Sequence, residues 1–305
     1  MFGKVKRYFR DPYYALGYDM IQKCPHLMSD KFYLSVLWKM KMGYELDWKH
    51  PKTFNEKLQW LKLHDRNPLY TTLVDKYRVK QWVADKIGEQ YVIPTLAVYN
   101  SVDEIDLDKL PDQFVLKCNH DSGSAVICRD KSTFDLEVVK RKLGDALKKN
   151  FYWEAREWPY KNVKRCVLAE KFLEGLDVKS APADYKFYCF GGEPKLFYIT
   201  SDKGGILPTR EDFFDIDGRH LDIQDKNYPN NPRRIPQLPS QLDDMLRVSR
   251  ILAKGTMHLR VDFYEIAGRV YCGELTFYED GGFCEFSPEK HNRILGDWIK
   301  LPTDK

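Results

Sequence analysis

Among the seven cysteines, Cys24, Cys118, Cys128, Cys166, Cys189, Cys272 and Cys284, no Cys-x-x-Cys spacing occurs and the count is odd. That argues against both a disulfide framework and a zinc site, and for buried thiols in a reducing compartment. No apolar run approaches the ~20 residues that span a bilayer. The opening MFGKVKRYFR lacks the apolar core of a secretory signal. Its Phe2, Tyr8 and Phe9, with Lys4, Lys6, Arg7 and Arg10, suit an anionic membrane surface, and equally a short docked terminus. Charge of one sign is not concentrated: 49 basic residues oppose 45 acidic ones, net +4, without the basic stripe of a nucleic-acid protein. There is no Gly-Lys-Ser/Thr phosphate loop, no internal repeat, and no compelling Ser/His/Asp or Cys/His arrangement. What is present is a 305-residue chain, 43% hydrophobic and 14% aromatic, enough for the cores of two or three subdomains.

Periodicity predicts helices over residues 1 to about 70. Thr53-Phe54-Asn55-Glu56 is a capping-box pattern, followed by Leu58 and Leu61 at helical spacing and stopped by Pro68. A second helix is expected from about Leu73 to Ile87, closed by Gly88. Strands are expected at 91–99, 114–118, 125–130 and 165–173, with an amphipathic helix at 135–149 carrying Leu136, Val139, Leu143 and Leu147 on one side. Residues 184–200 read as a hairpin turned by Gly191-Gly192. Residues 204–239, rich in Gly, Pro, Asn and Asp, read as mostly loop and a candidate substrate lid. Ser240-x-x-Asp243 then caps a helix ending near Gly255. Helices and antiparallel hairpins in blocks give an α+β class.

Leu259 to Phe277, LRVDFYEIAGRVYCGELTF, is the most telling stretch. It predicts a hairpin turning near Gly268, with Asp262 opposite Glu274 and Arg260 opposite Thr276 on one face, and Val261, Phe263, Gly273 and Leu275 on the other. Two facing carboxylates repel unless a cation lies between them, and hard oxygens on a rigid hairpin suit Mg²⁺ that also holds phosphates. A solvated polar face explains the pattern as well. Upstream, Phe114 to Val126 carries Lys117 on a strand into the polar turn Asn119-His120-Asp121-Ser122-Gly123-Ser124, where backbone N–H groups can cradle phosphate. A plain hairpin turn has the same composition.

In their order along the chain these elements resemble the ATP-grasp superfamily, from about Asp75 to Pro288. Asp75-Lys76-x-x-Val79-Lys80 followed by Val92-Ile93-Pro94 resembles its entry motif, which makes Lys76 a phosphate-binding lysine, and Lys117 resembles the second. Val167 to Asp177 resembles the hinge, which implies Glu170, Lys171 and Leu173 at adenine and Asp177 at ribose. Arg260-x-Asp262 with Glu274-x-Thr276 resembles the metal strand pair, implying Asp262, Glu274 and Thr276 as ligands, with Thr276 where the family carries an amide. Lys186 and Lys203 both fit the last phosphate lysine, and Lys203 is taken as the nucleotide contact. The implied domains are a helical N-terminal region 1–95, a small lobe 96–172 with the phosphate loop, and a large lobe 173–305 with the metal hairpin.

From about residue 20 the chain is similar to the teichuronic-acid-biosynthesis-type ATP-grasp proteins of bacterial surface-polysaccharide synthesis, often labelled glycosyltransferases. That resemblance implies a cytoplasmic enzyme, at the inner membrane face where residues 1–10 engage it, using ATP and Mg²⁺. It joins an amine or amino acid to a uronic-acid-type carboxylate through an acyl phosphate, with Lys117 and Arg260 as catalytic residues and no nucleic-acid partner. A glycosyltransferase using Asp215-x-Asp217, or an ATP-dependent sugar kinase, stays open. So do substrate or packing roles for His120, His258 and the cluster Trp153, Arg156, Trp158 and Tyr160, and a tight loop at Glu279-Asp280-Gly281-Gly282 near the γ-phosphate.

Overall fold

The computed structural model describes residues 12–173, 183–201, 208–231 and 234–302. The N-terminal membrane contact, Asp177 and Lys203 lie outside these residues. No helix among the described residues is long and apolar enough to cross a membrane.

Helices α1 (Pro12–Lys23), α2 (Asp30–Met42) and α3 (Phe54–His64) open the chain. Both halves of the capping box form at α3: Thr53 N donates to Glu56 Oε2 at 2.9 Å, and Glu56 N donates to Thr53 Oγ1 at 3.4 Å. The single helix expected over 73–87 is instead two, α4 (Leu69–Val74) and α5 (Arg78–Ile87). Asp75 makes the break. Its Oδ1 accepts from Tyr77 N, Arg78 N and Asn119 Nδ2 at 2.9, 3.2 and 2.9 Å, so the carboxylate caps α5 and ties it to the polar turn.

The first sheet comprises β1 (Thr95–Tyr99), β2 (Phe114–Cys118), β3 (Val126–Cys128) and β4 (Val167–Lys171) in the antiparallel order β1-β4-β2-β3. Alternation sorts its faces. Phe114, Leu116, Cys118, Val167 and Ala169 pack under Val139 and Leu143 of α6 (Leu136–Lys148), which the short helix α7 (Tyr152–Ala155) follows, while Lys117 and Glu170 take the other side.

The second sheet comprises β5 (Asp184–Phe190), β6 (Glu193–Ser201), β7 (Arg210–Asp215), β9 (His258–Ile266) and β10 (Arg269–Thr276), in the order β10-β9-β5-β6-β7. A two-stranded ribbon pairs β8 (Gln224–Asp225) with β11 (Phe286–Ser287). One cross-strand row, Leu275–Val261–Phe187–Phe197–Phe214, is apolar and belongs to a core shared with Met245, Val248 and Leu252 of α8 (Leu242–Ala253). The next row, Glu274–Asp262–Lys186–Tyr198–Phe213, faces the opposite way and is mostly polar. The chain ends in α9 (Lys290–Trp298).

Two expectations change here. Residues 210–215, read as loop, form edge strand β7, because Phe213 and Phe214 are buried on its two faces. Ser240 does not cap α8; its hydroxyl bonds Glu265, and Gln241 occupies the cap without a side-chain bond.

The metal-type hairpin reaches its register by an unexpected route. Its turn is Ala267-Gly268, both at positive φ (50° and 73°), with Ile266 opposite Arg269 and Phe263 opposite Cys272. That register alone would misalign the carboxylates. A bulge at Gly273 restores it, so that Glu274 lies opposite Asp262 and Thr276 opposite Arg260. Alanine is a poor residue for a left-handed turn position, where asparagine is favoured. Ala267→Asn is expected to stabilise the fold by about 0.5–1 kcal/mol, seen as a raised midpoint in urea unfolding.

Candidate functional site

The two sheets and the polar turn close on one cleft of about 380 Å³, lined among others by Lys76, Lys117, Asp121–Ala125, Lys186, Arg260, Asp262 and Glu274. Lys76 reaches it because the break between α4 and α5 turns it out of the helical path. Its Nζ donates to Asp121 O at 2.8 Å and to Glu274 Oε1 at 2.9 Å, joining the turn to the hairpin. Asn119 holds the turn from behind, accepting from Cys166 N at 2.9 Å and donating to Lys164 O at 3.0 Å and to Asp75.

Lys117 pairs with Glu170 at 2.7 Å, and Lys80 pairs with the other oxygen of the same carboxylate at 2.6 Å. Burial pushes Glu170 up, but Lys117 and then Lys80 outweigh it and hold the group below its ordinary value. Two lysines on one carboxylate leave a net positive charge facing the cleft. Glu170 thus positions two lysines. Lys171 is exposed in a groove with Arg129 and Phe172, away from the cleft, while its N–H donates to Pro94 O at 3.0 Å. Leu173 follows, half-buried.

Arg260 grips Asp262 with Nε at 2.6 Å and Nη2 at 2.7 Å, and its Nη1 pairs with Glu279. Lys186 pairs with Asp184 and lies 3.8 Å from Asp262. Burial pushes Asp262 up to about 6 against the pull of Arg260 and Lys186. In Glu274 burial is outweighed by Lys76 and Arg260, so its carboxyl stays below the usual range. Carboxylate oxygens from neighbouring strands beside lysines are a donor set suited to Mg²⁺ that takes its remaining ligands from phosphates and water. Among the described residues no three His, Cys, Asp or Glu side chains are arranged to hold a metal by themselves. Thr276 does not line this cleft, and its hydroxyl is buried without a hydrogen-bond partner.

Other expected contacts lie elsewhere. Arg156 is fully buried, its guanidinium over the rings of Tyr33 and Trp153 and bonded to Pro25 O, so it ties helices together. His120 is 2% exposed, with Nε2 at 3.1 Å from Lys149 O, and burial lowers its proton affinity. His258 is buried against Cys189 O, and burial drops it to about 3. Asp215 accepts from Asp217 N and Arg219 N at 3.0 and 2.8 Å, so the Asp-x-Asp spacing serves a turn. All seven cysteines are free and five are buried.

Sequence reasoning missed Thr200 and Glu211 on the far wall of the cleft, where Glu279 also stands. Burial, then the Glu279 and Asp225 charges, push Glu211 up to about 9 from an ordinary 4.5. Its folded-state proton affinity exceeds the unfolded one, so its contribution to stability is complete below the unfolded value and is lost as pH rises toward the folded one. Glu211→Gln is therefore expected to unfold at a higher urea midpoint than wild type at about pH 8, with the difference vanishing near about pH 4.

Residues 56–300 match the family described as TupA-like ATP-grasp. No curated protein sequence matches the chain. Similar solved structures include the D-alanine–D-alanine ligase of Bacillus anthracis complexed with ATP, at 16% identity over 86% of this chain and 70% of that one, TM-score 0.39. Another is the D-alanine–D-alanine ligase of Helicobacter pylori, at 16% identity over 82% and 69%, TM-score 0.43. A third is the ATP-grasp ligase PsnB with a precursor variant, Mg and ADP, at 11% identity over 81% and 66%, TM-score 0.42. With 245 of 305 residues inside the matched span (56 to 300, inclusive), the chain belongs to the TupA-like ATP-grasp family, and its two antiparallel sheets facing one cleft are that fold.

Proposed function

We propose that this protein is an ATP-dependent carboxylate–amine ligase that forms an amide through an acyl phosphate. The observation that carries this reading is the bridge from Lys76 to both Glu274 and the polar turn, with Asp262 across the hairpin and Lys117 in the same cleft.

Lys76 and Lys117 would meet the nucleotide phosphates, and the turn 121–124 would cover them with N–H groups. Asp262 and Glu274 would hold Mg²⁺, which supplies charge neutralisation at the transferring phosphoryl group. A carboxylate oxygen of the acceptor attacks the γ-phosphorus, the bridging P–O bond breaks, and ADP leaves. The amine nitrogen then attacks the acyl carbon, the C–O bond to phosphate breaks, and phosphate leaves. Arg260, fixed by Asp262 and Glu279 on the metal-type face, would stabilise the tetrahedral oxyanion, a contribution of about 3 kcal/mol for one such donor.

The family resemblance supports a uronic-acid-type sugar carboxylate in surface-polysaccharide synthesis as acceptor, an amino acid as amine, and a bacterial cytoplasmic setting; the basic and aromatic residues among 1–10 suit the membrane face. The test is ADP release with ATP, Mg²⁺ and a panel of uronic-acid glycans, with and without amino acids. Amine-dependent ADP release is the expected result. ADP release indifferent to amines, with a phosphorylated sugar as product, would replace ligation by sugar phosphorylation.

A further inference from the structure

The wall of the cleft opposite the metal-type hairpin has its own chemistry. Asp184, Thr200 and Glu211 are neighbours in one cross-strand row of the second sheet, and all three line the cleft. Thr209 and Tyr228 line it beside them. Glu211 is 9% exposed and Thr200 is 6% exposed. The Thr200 hydroxyl is buried without a hydrogen-bond partner. Among the described residues, no hydrogen bond or ion pair reaches the Glu211 carboxyl; its neighbours act on it through space only. A buried hydroxyl without a partner, beside a carboxyl that lines the cleft, points to a ligand that satisfies it.

We propose that Thr200 and Glu211 form the amine subsite of this cleft, receiving the amino substrate as an ammonium at Glu211 and releasing it to the reaction as the neutral nucleophile. This rests on the ligase reading above and names where its second substrate sits.

The surrounding charges favour a cation over the alternatives. Glu279 and Asp225 press negative potential on Glu211, and Lys186 and Arg260 only partly offset it. Lys186 and Arg260 are themselves occupied by Asp184, Asp262 and Glu279. An anionic substrate end would meet repulsion here, while the lysine-rich side of the cleft suits it. An ammonium needs acceptors, and a carboxyl with a hydroxyl supplies two.

The proton balance closes. The ammonium R–NH₃⁺ against the Glu211 carboxylate gives R–NH₂ and the Glu211 acid. R–NH₂ attacks the acyl phosphate, the C–N bond forms, the C–O bond breaks, and the second N–H proton leaves with phosphate or water. Burial and the Glu279 and Asp225 charges raise the proton affinity of the Glu211 carboxyl, which makes it a better acceptor of the ammonium proton than an ordinary carboxylate.

Two measurements on the full chain decide this. In protein carrying ¹³C-labelled glutamate, the Glu211 carboxyl resonance, assigned by its loss in Glu211→Gln, is titrated with and without methylammonium chloride, using sodium chloride as the ionic-strength control. Methylammonium is expected to lower the Glu211 midpoint, and Thr200→Val to weaken that response several-fold. A midpoint indifferent to methylammonium overturns the proposal whatever the enzyme's activity. In turnover with D-glucuronate, ATP and Mg²⁺, Glu211→Gln is expected to lose glycine-dependent amide formation at least tenfold. It should keep hydroxamate formation from hydroxylamine, which is already neutral near neutral pH, within about twofold of wild type. Equal loss of both products, or loss of neither, also overturns it. Absence of ADP release from wild type with every carboxylate tried would count against the ligase reading and leave the methylammonium result to decide the subsite.

Discussion

Asp262→Asn is expected to cut ADP release by about a thousandfold while the protein stays folded. The large effect follows from charge. Asp262 and Glu274 are the two carboxylates that the hairpin register places opposite each other in the cleft, and an amide offers a metal one neutral oxygen where a carboxylate offers two charged ones. The small structural effect follows from the same neighbourhood. Asp262 accepts two hydrogen bonds from Arg260, and asparagine keeps one of them. Arg260 retains Glu279, and Lys186 retains Asp184. Burial opposes the charged form of Asp262, so removing the charge relieves part of what its lost bond takes away. Circular dichroism and the urea midpoint check the fold, and a coupled assay checks ADP. Wild-type ADP release in this variant would remove Asp262 from the metal site, and with it the assignment of the hairpin.

The hairpin was legible because strand alternation is local: residues of one parity share a face whatever the rest of the fold does. Even so, its pairing came out as expected through two departures that cancel, a turn one step earlier and a bulge at Gly273. Lys76 was legible as a motif, but the break that aims it was not, since the Asp75 carboxylate that caps α5 is also held by Asn119 from the polar turn after β2. Strand β7 was hidden among glycine- and proline-rich neighbours, and with it the residue that makes the far wall acidic. Glu211 shares its short local pattern with any exposed glutamate; only the sheet buries it. Arg156, for which substrate and packing roles both stood open, is enclosed by Tyr33 of α2 and the Pro25 carbonyl, contacts more than a hundred positions away in sequence. Local patterns therefore gave elements and motif lysines, and the long-range packing that sets charge and burial stayed invisible.

The same limit applies to Lys62, which reads in sequence as one more polar residue on an amphipathic helix. It is fully buried. Its Nζ donates to Gln59 Oε1, Ala155 O and Gly281 O at 2.9, 2.8 and 2.6 Å. Gln59 adds bonds from Nε2 to Gly281 O and Gly282 O at 3.2 and 2.7 Å. One face of α3 thus holds the 279–282 loop from behind, and that loop delivers Glu279 to Arg260 and to the Tyr198 hydroxyl. Burial drops Lys62 to about 7 against the pull of Glu157, and burial likewise lifts Glu157 to about 7. Lys62→Met fits the volume but strands Gln59 Oε1 and Ala155 O and leaves Gly281 O only its longer bond from Gln59. Glu157 can keep its proton, so the loss comes from unsatisfied oxygens more than from an orphaned charge. At about 1–3 kcal/mol for each buried group left without a partner, the variant is expected to lose roughly 3–5 kcal/mol of stability. Its ADP release should fall as well, because a loosened loop frees Arg260 from Glu279 without touching any residue that would meet the nucleotide. Urea unfolding gives the first quantity and initial rates below the variant's melting range give the second. A midpoint within about 1 kcal/mol of wild type would mean that α3 does not hold the Glu279 loop in place.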